Sequence, residues 1–447
     1  MYKLLKKLKI SPYLAVLLSF LLVILFGSLL LSFPIAYQDR SWHHYIDALF
    51  LSTSCVCVTG LNVFPDIVNT MSVFGKIVMA ILIQIGGLGF ISIFTFIFTL
   101  FNRKLGASER YMLKEALSFN SISKVLYFVR SMILISFVLE LCGTIPFLFV
   151  FIPQYGVWPG IGKAMFHSIS SFNNAGFDLV GPNSLIPYAQ NYIMTFNTAI
   201  LIILGGLGFL VISEISKTRK AKFWSVHTKV VLLMTAILLF GGGLLIWLLN
   251  IKNMTFMEAM FQSVASRTAG FSVYPIPEMS SPSRILMMFL MFVGVGPLST
   301  GGGVKVTTLF IIFATINSFI RGRKTRAFSR SFDIKTFIQA VTIVMIVIPV
   351  LIVGFSLMNF FEAKNTFMID NGYGSEAIIF EVISAFSTTG LSWGITPSLS
   401  LGSKIVLVFL MFFGRVGPLT IMAVVSTSMN KKETEKIKYI EADLIVG

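Results

Sequence analysis

The sequence has few residues that bind metals or act as nucleophiles. It contains 3 cysteines and 4 histidines in 447 residues, too few for the paired cysteines of an extracellular disulfide framework. Cys55 and Cys57 lie two residues apart, but no histidine or further cysteine is near them in the sequence. We therefore interpret them as small buried residues and not as a metal pair. The histidines form no cluster with a nucleophile or with metal ligands, so we expect no enzyme activity.

Charged residues are also scarce, at 12% of the chain, whereas 55% of the residues are hydrophobic. This balance excludes an ordinary soluble domain and indicates that the lipid bilayer surrounds the protein. A membrane-spanning helix needs about 20 apolar residues. Apolar runs of suitable length occur at residues 11–33, 73–101, 193–212, 230–249 and 343–358. The first run follows a basic start and is too long for a signal peptide, so we interpret it as the first span.

The net charge of +16 would indicate nucleic-acid binding in a soluble protein, but its distribution favours a membrane topology instead. Basic residues concentrate in five clusters, at residues 3–9, 103–124, 217–229, 321–335 and 431–438. By the positive-inside rule, all five clusters face the cytoplasm. Both termini are then cytoplasmic, and nucleic acid is not expected as a partner.

One short segment occurs four times between these basic clusters. Each copy has an aromatic start, a half-polar helical run and a glycine followed by leucine or phenylalanine. The copies cover residues 50–61, 166–177, 261–271 and 380–391. If each copy crossed the membrane, successive basic clusters would alternate sides; if each enters and returns, every cluster stays inside. The sequence therefore predicts an all-α integral membrane protein of eight spans. Its four tandem span–re-entrant pore loop–span repeats are expected in a pseudo-four-fold arrangement around one pore.

The expected boundaries follow from the same pattern. We predict a single membrane domain over residues 1–447, with repeats near residues 11–101, 124–213, 226–320 and 333–428. Residues 429–447 form a cytoplasmic C-terminal tail. The re-entrant helices are expected near residues 44–57, 160–172, 255–266 and 375–387. The second spans also resemble one another, residues 81–90 matching 200–209 and residues 289–297 matching 409–418.

The repeated segments predict an ion filter. Non-helical backbone at membrane depth is tolerated where it lines a water-filled cavity, and a ring of carbonyl groups can replace the hydration shell of a cation. Glycine fits such a ring because a positive φ costs it nothing, and helix C-terminal ends aimed inward favour a cation. A single copy would be interpreted as an ordinary glycine-containing turn between helices. Four copies at equivalent places in four repeats favour a filter instead. The predicted carbonyl donors are Val58, Thr59, Gly60, Asn174, Ala175, Gly176, Thr268, Ala269, Gly270, Thr388, Thr389 and Gly390.

The second apolar run of repeat three, residues 281–320, is about twice the length of one span, and its middle is rich in glycine and proline. Proline removes a helical hydrogen bond, and each glycine costs about 1 kcal/mol inside a helix. The helix should break there, into either a flexible gate beneath the filter or a passive kink. A phosphate-binding loop is excluded because the Walker spacing is absent. The predicted gate residues are Gly296, Pro297, Ser299, Thr300, Gly301, Gly302, Gly303, Lys305 and Arg415.

Two charges fall inside predicted spans, where isolated charges are costly. Arg415 either faces the pore, as an electrostatic barrier to cations, or faces a helix, where it binds the freed carbonyls of the glycine-rich loop. Glu140 lies in a first span. It is either a functional residue or one that packs between helices against a partner hidden from the sequence.

These features together resemble the Trk/Ktr/HKT superfamily of potassium transporters, most closely the bacterial Ktr membrane subunits (KtrB-type). The resemblance covers nearly the whole chain. It implies channel-like potassium uptake across the cell membrane of a bacterium, with K⁺ as the metal at the filter carbonyls because glycine occupies all four filter positions. It also implies gating by residues 296–305 and Arg415, no covalent cofactor, and Na⁺ as a candidate activator.

The same resemblance implies a homodimer regulated by a cytoplasmic nucleotide-binding ring (KtrA-type) that distinguishes ATP from ADP. The basic faces at residues 103–124, 217–229 and 321–330 either dock this ring or contact lipid headgroups. The alternative function is a sodium-coupled or sodium-conducting secondary cation transporter. A coupled transporter would have paired broken helices in an inverted repeat, whereas the sequence indicates parallel repeats and one broken span.

Overall fold

The computed structural model describes residues 12–89, 122–218, 220–418 and 420. The predicted basic clusters at residues 3–9 and 431–438, most of the cluster at 103–124, and the C-terminal tail lie outside the described residues. Residues 90–101, the second part of the apolar run at residues 73–101, also lie outside the described residues.

The described chain repeats one order of helices in its four quarters: a long helix, a short helix and a second helix. The long helices are Pro12–Ser32, Ile122–Tyr155, Val226–Ala236 and Ile334–Glu362; the third continues through a π-helical turn, Ile237–Gly241, into Gly242–Leu249. The short helices are Tyr45–Val56, Val157–Phe172, Phe256–Ala265 and Ser375–Ser387. The second helices are Val73–Leu88, Tyr192–Leu207, Ser281–Phe292 and Leu401–Val416. Each short helix begins and ends within three residues of the bounds expected from the sequence.

The remaining elements are small or follow a break. Phe209–Lys217 and Val306–Ile320 continue the second helices of quarters two and three after a non-helical residue or segment. Ile67–Thr70 and Thr366–Asp370 are single helical turns, and five 3-10 turns lie at Pro34–Ala36, Ile186–Tyr188, Ala221–Phe223, Ile276–Glu278 and Thr396–Ser398. Arg326–Ala327 and Arg330–Ser331 form a two-stranded antiparallel ribbon in the linker before the fourth quarter.

Four described helices are long and apolar enough to cross a membrane: Leu14–Ser32, Phe128–Tyr155, Val226–Leu249 and Ile334–Glu362. The bent pair Tyr192–Leu207 and Phe209–Lys217 would make a fifth. Large apolar side chains on these long helices, such as Phe26, Phe149 and Phe240, are exposed, as expected for helices that face lipid. Eight spans therefore remain a prediction, because the second helices of the other quarters, as far as the structure describes them, are shorter than a full span.

The prediction of one broken second span is wrong. The second helix of quarter two also stops, at Gly208, and the chain turns by 95° into the next helix. Gly208 has φ +92, a conformation that is strained for residues with a Cβ. The second helices of quarters one and four end at the corresponding glycines, Gly89 and Gly417, with φ +78 and +87. The third quarter does break where expected, since residues 293–305 form no helix.

Candidate functional site

The four glycines of the repeated segment meet at one place in the fold. A methyl group built on each glycine would collide with the segment of the next quarter, in chain order. At Gly60 this methyl would lie 2.6 Å from the Ala175 oxygen and 3.1 Å from the Cα of Gly176. Gly176 faces Ala269 and Gly270, Gly270 faces Thr389 and Gly390, and Gly390 faces Thr59 and Gly60 in the same way. The four segments therefore form a closed ring, and only glycine fits at the contact points.

Each segment makes the same backbone turn before its glycine. The residue two positions earlier adopts a left-handed conformation although it carries a side chain, with φ between +50 and +63 at Val58, Asn174, Thr268 and Thr388. This region costs about 1–2 kcal/mol for residues other than glycine. Strain of this kind persists only where the surrounding structure holds it in place, and it is concentrated at functional sites.

The backbone N–H groups of the ring point away from its centre. In quarter one, Thr59 N donates to Ser54 O at 2.8 Å and Gly60 N donates to Ser54 Oγ at 3.1 Å. The fourth quarter has the same bonds from Thr389 and Gly390 to Ser384, and Ala175 and Ala269 also donate to the ends of their short helices. No carbonyl oxygen of the twelve predicted donor residues accepts a hydrogen bond from the described part of the chain. Carbonyls without such partners are rare at buried positions in folded proteins, so this set of unpaired oxygens is an unusual feature of the ring.

Serine hydroxyls fix three of the short helices against their long helices. Ser52 Oγ donates to Ile24 O at 2.7 Å, Ser168 Oγ to Glu140 O at 2.6 Å, and Ser263 Oγ to Leu239 O at 2.8 Å. The third bond uses a carbonyl in the π-helical turn. Each bond holds a short helix, and with it the ring segment, at a set depth in the fold.

The glycine-rich loop of quarter three lies directly against the ring. Thr300 Oγ1 is 3.1 Å from Asn174 Oδ1 and 3.3 Å from Phe172 O. Gly301 contacts the Thr268 side chain, and Gly302 contacts the Thr388 side chain, so closely that neither has room for a Cβ. The loop thus contacts the left-handed residues of three segments and covers that side of the ring.

A backbone hydrogen bond and the side chain of Lys305 hold the two ends of this loop together. Gly294 N donates to Val304 O at 2.9 Å, which draws the two ends together. Lys305 Nζ, at the start of the following helix, donates to Gly301 O at 2.7 Å and Gly302 O at 3.3 Å. Two other predicted gate residues contact the second helix of quarter two or the residue that ends it: Gly296 N donates to Gly206 O, and Pro297 O lies beside Gly208. The hydroxyl of Ser299 is buried and has no partner in the described residues. Gly303 has φ +68.

Arg415 is half-buried, and its guanidinium faces backbone carbonyls. Its guanidinium donates to Thr300 O in the loop, to Gly86 O, and to Gly87 O at 3.2 Å. Of the two orientations that the sequence left open, the structure has the one that binds freed carbonyls. Gly86 and Gly87 belong to the second helix of quarter one, so Arg415 joins quarters one, three and four beside the ring.

Two polar groups next to the ring were not assigned from the sequence. Arg267 is buried, and its guanidinium donates to Thr235 O at 3.3 Å and Gly294 O at 3.2 Å. The sequence did offer one indication of this role, because Arg267 stands among small and apolar residues in the repeated segment. Glu140 has partners that lie far away in sequence, Gln84 and Asn173. No group of three or more potential metal-binding side chains occurs among the described residues.

A cavity of about 410 Å³ opens on the face of the ring opposite the loop. All four glycines line it, together with residues of the loops that follow them. Asp178 is the only carboxylate among the described residues that line it. Burial raises the pKa of Asp178 to about 6, against the opposing effect of its hydrogen bond from Val180 N. The cavity thus leads from the surface to the glycine ring, past one titratable acid.

Known proteins are similar to this chain in sequence and in fold. The family model "TrkH: Cation transport protein" matches residues 14–437. The chain is 36% identical to the potassium/sodium uptake protein NtpJ of Enterococcus hirae, covering 98% of each chain. It is 33% identical to the Ktr system potassium uptake protein B of Bacillus subtilis, covering 100% of this chain and 99% of the relative.

The fold also resembles a solved structure, the potassium transporter TrkH from Vibrio parahaemolyticus. The TM-score is 0.70 over 92% of this chain and 85% of that one, at 18% sequence identity. The matches to the family model and to full-length relatives confirm the resemblance to the Trk/Ktr/HKT superfamily. The chain belongs to the TrkH family of membrane cation transport proteins, and it is a transporter and not an enzyme.

Proposed function

We propose that this chain takes up potassium ions through a channel-like pore whose selectivity filter is the glycine ring. The observation that carries the proposal is the set of ring carbonyls without hydrogen-bond partners in the described residues. Such oxygens replace the water around a monovalent cation when it enters the filter. The metal at the filter carbonyls is K⁺, in keeping with the names of the Ktr relatives. The membrane potential supplies about 2.3 kcal/mol per charge per 100 mV.

The glycine-rich loop, residues 296–305, and Arg415 form the gate of this pore. The loop lies across three filter segments, so an ion leaving the filter on that side meets it first. Arg415 holds Thr300 and thereby keeps the loop in place. Opening requires the loop to leave these contacts, and the glycines that allow its close approach also make it flexible.

The proposed membrane arrangement has eight spans in four parallel repeats, with the short helices re-entrant and both termini cytoplasmic. The four-fold order of helices and the closed glycine ring support it. Bacterial cell membrane is the proposed location. The proposed assembly is a homodimer regulated by a KtrA-type nucleotide-binding ring, because the relatives named as Ktr system proteins are components of a system. Sodium ions are the proposed activator.

The alternative is a sodium-coupled or sodium-conducting secondary cation transporter. The support for this alternative is the name of the NtpJ relative, a potassium/sodium uptake protein. By the resemblance to the Trk/Ktr/HKT superfamily, glycine at every filter position implies potassium as the preferred ion.

Uptake measurements distinguish the two functions. The full-length chain is expressed in cells that lack their own potassium uptake systems, with and without a KtrA-type partner. We expect growth at low potassium and faster uptake of K⁺ than of Na⁺. Equal uptake of the two ions would favour the sodium-conducting alternative. No cation uptake in either condition, from a chain present in the membrane, would refute the proposal.

A further inference from the structure

A buried acid lies directly behind the second filter segment. Glu140, on the long helix of quarter two, is 4% exposed. One of its oxygens, Oε1, accepts from Gln84 Nε2 at 2.9 Å and from Asn173 Nδ2 at 3.0 Å. Asn173 Nδ2 is also 2.9 Å from Gln84 Oε1. These three side chains, which we name the Glu140 cluster, come from three different helices or their ends and bond to one another.

Glu140 makes no ion pair within the described part of the chain. An acid at membrane depth without a cationic partner is costly, and such residues mark functional sites by default. A packing role alone would be met by leucine, which fills a similar volume with no polar atoms to satisfy. The hydrogen bonds to two amides are therefore the feature that requires this acid.

The cluster ends on the filter itself. Asn173 is the residue that ends the short helix Val157–Phe172, and it is followed at once by the left-handed residue Asn174. Its side chain also reaches back to Ile169 O at 2.9 Å. Gly87, across the interface, contacts the Asn173 side chain so closely that a Cβ would collide with it. Asn173 is thus held from both sides, immediately before the carbonyls of Asn174, Ala175 and Gly176.

The corresponding residues in the other quarters are Cys57, Arg267 and Ser387, each directly before the left-handed residue. Arg267 bonds to backbone carbonyls, and Ser387 bonds within its own segment. A carboxylate from a long helix reaches only Asn173 of these described positions. The support behind the filter therefore differs from quarter to quarter.

We propose that Glu140 is a positioning residue for the second filter segment: it holds Asn173, and through it sets the spacing of the filter carbonyls that distinguishes K⁺ from Na⁺. Gln84 completes the support from the second helix of quarter one. That helix is itself bound two and three residues later, at Gly86 and Gly87, by Arg415. The inference rests on the proposed function, because it concerns the selectivity of the same filter.

The test uses full-length variants purified and reconstituted in lipid vesicles, with K⁺ and Na⁺ fluxes measured separately. Glu140→Leu keeps the volume but removes the acceptor that Gln84 Nε2 and Asn173 Nδ2 share. Gln84 Nε2 then has no acceptor among the described residues, and Asn173 keeps only its bonds to Gln84 Oε1 and Ile169 O. We expect the ratio of K⁺ to Na⁺ flux to fall on the order of 10-fold, as for the loss of an outer-shell partner at a metal site. Glu140→Gln keeps one oxygen acceptor and should recover most of the ratio.

Two control variants lie on the same long helix. Leu141, directly after Glu140, is 60% exposed, so Leu141→Ala should leave the flux ratio unchanged. Phe147 is fully buried, so Phe147→Leu should lower the melting temperature while keeping the ratio. If Glu140→Leu fails to fold, Gln84→Leu removes one donor and one acceptor of the cluster and should lower the ratio less strongly.

The outcomes separate this inference from the proposed function. Wild-type flux ratios in both Glu140→Leu and Gln84→Leu would overturn the inference while the potassium function stands. An equal loss in Phe147→Leu would also overturn it, because general packing would then explain the effect. A wild-type chain that does not distinguish K⁺ from Na⁺ would overturn the proposed function and the inference together.

Discussion

Replacing Gly390 with alanine tests the glycine ring most directly. The residue has φ +87, and the added methyl group would contact Thr59 O and lie 2.9 Å from the Cα of Gly60. The left-handed conformation costs a residue with a side chain about 1–2 kcal/mol, and overpacking a tight contact typically adds about 1–3 kcal/mol. Because the neighbouring segment is backbone at this point, it has to move as a whole, and the filter carbonyls move with it.

Displaced carbonyls would fit K⁺ less well, and a loss of about 1.4 kcal/mol in the preference for K⁺ over Na⁺ is tenfold. We therefore expect Gly390→Ala to reduce the ratio of K⁺ to Na⁺ flux on the order of tenfold. The matched control is Gly372→Ala. Gly372 also has a positive φ, +65, but no heavy atom lies within 4 Å of its added methyl group. This control isolates backbone strain from steric contact.

The assay is flux of each ion into vesicles that contain the purified full-length variant, with the melting temperature measured on the same sample. We expect Gly372→Ala to lose some thermal stability and to keep the wild-type flux ratio. Should Gly390→Ala fold and retain the wild-type ratio, the ring would not be the filter. Equal losses of selectivity in both variants would attribute the effect to strain and not to the contact.

Three further predictions concern the gate and the outer cavity. Deleting residues 299–302 should increase cation flux, because the part of the loop that lies against the filter is removed; unchanged flux in vesicles would argue against a gate. Arg415→Gln should raise flux in the absence of a nucleotide-binding partner, since hydrogen bonds from a charged group, each contributing about 1.5–3 kcal/mol, no longer hold Thr300; a variant that only loses expression would indicate a structural role. K⁺ uptake should fall as external pH decreases through about 6, because the raised pKa of Asp178 makes its carboxyl neutral below that value; Asp178→Asn should remove this dependence, and an unchanged pH profile in that variant would assign it to another group.

The short helices could be located from the sequence because the same pattern occurs four times. A glycine after a half-polar helical run is weak evidence alone, but each copy supports the others. The four glycines, Gly60, Gly176, Gly270 and Gly390, are indeed adjacent in the structure. The orientation of the ring backbone depends on Ser54 and Ser384, whose carbonyl and hydroxyl oxygens accept hydrogen bonds from the ring N–H groups. These roles follow from geometry and not from residue type.

The break at Gly208 could not be predicted in the same way. Glycine costs a helix only about 1 kcal/mol, so the run from Gly205 to Gly208 is compatible with a continuous span. The tertiary contacts decide: Gly205 lies against Phe172 O, and Gly208 lies against Pro297 O. Both neighbours are distant in sequence. The hydrogen bond from Arg415 to Gly86 O could not be predicted either, because the two residues lie 329 positions apart in the sequence.

The ring of glycines is closed by one continuous polypeptide. In an assembly of four identical subunits, any substitution in the ring would appear four times, and its effect would be multiplied accordingly. Here a single codon alters one quarter of the circle and leaves three quarters as they were. The cation preference of such a protein is therefore adjustable in small steps, and variants with one, two or three altered quarters can be made and compared in the same chain.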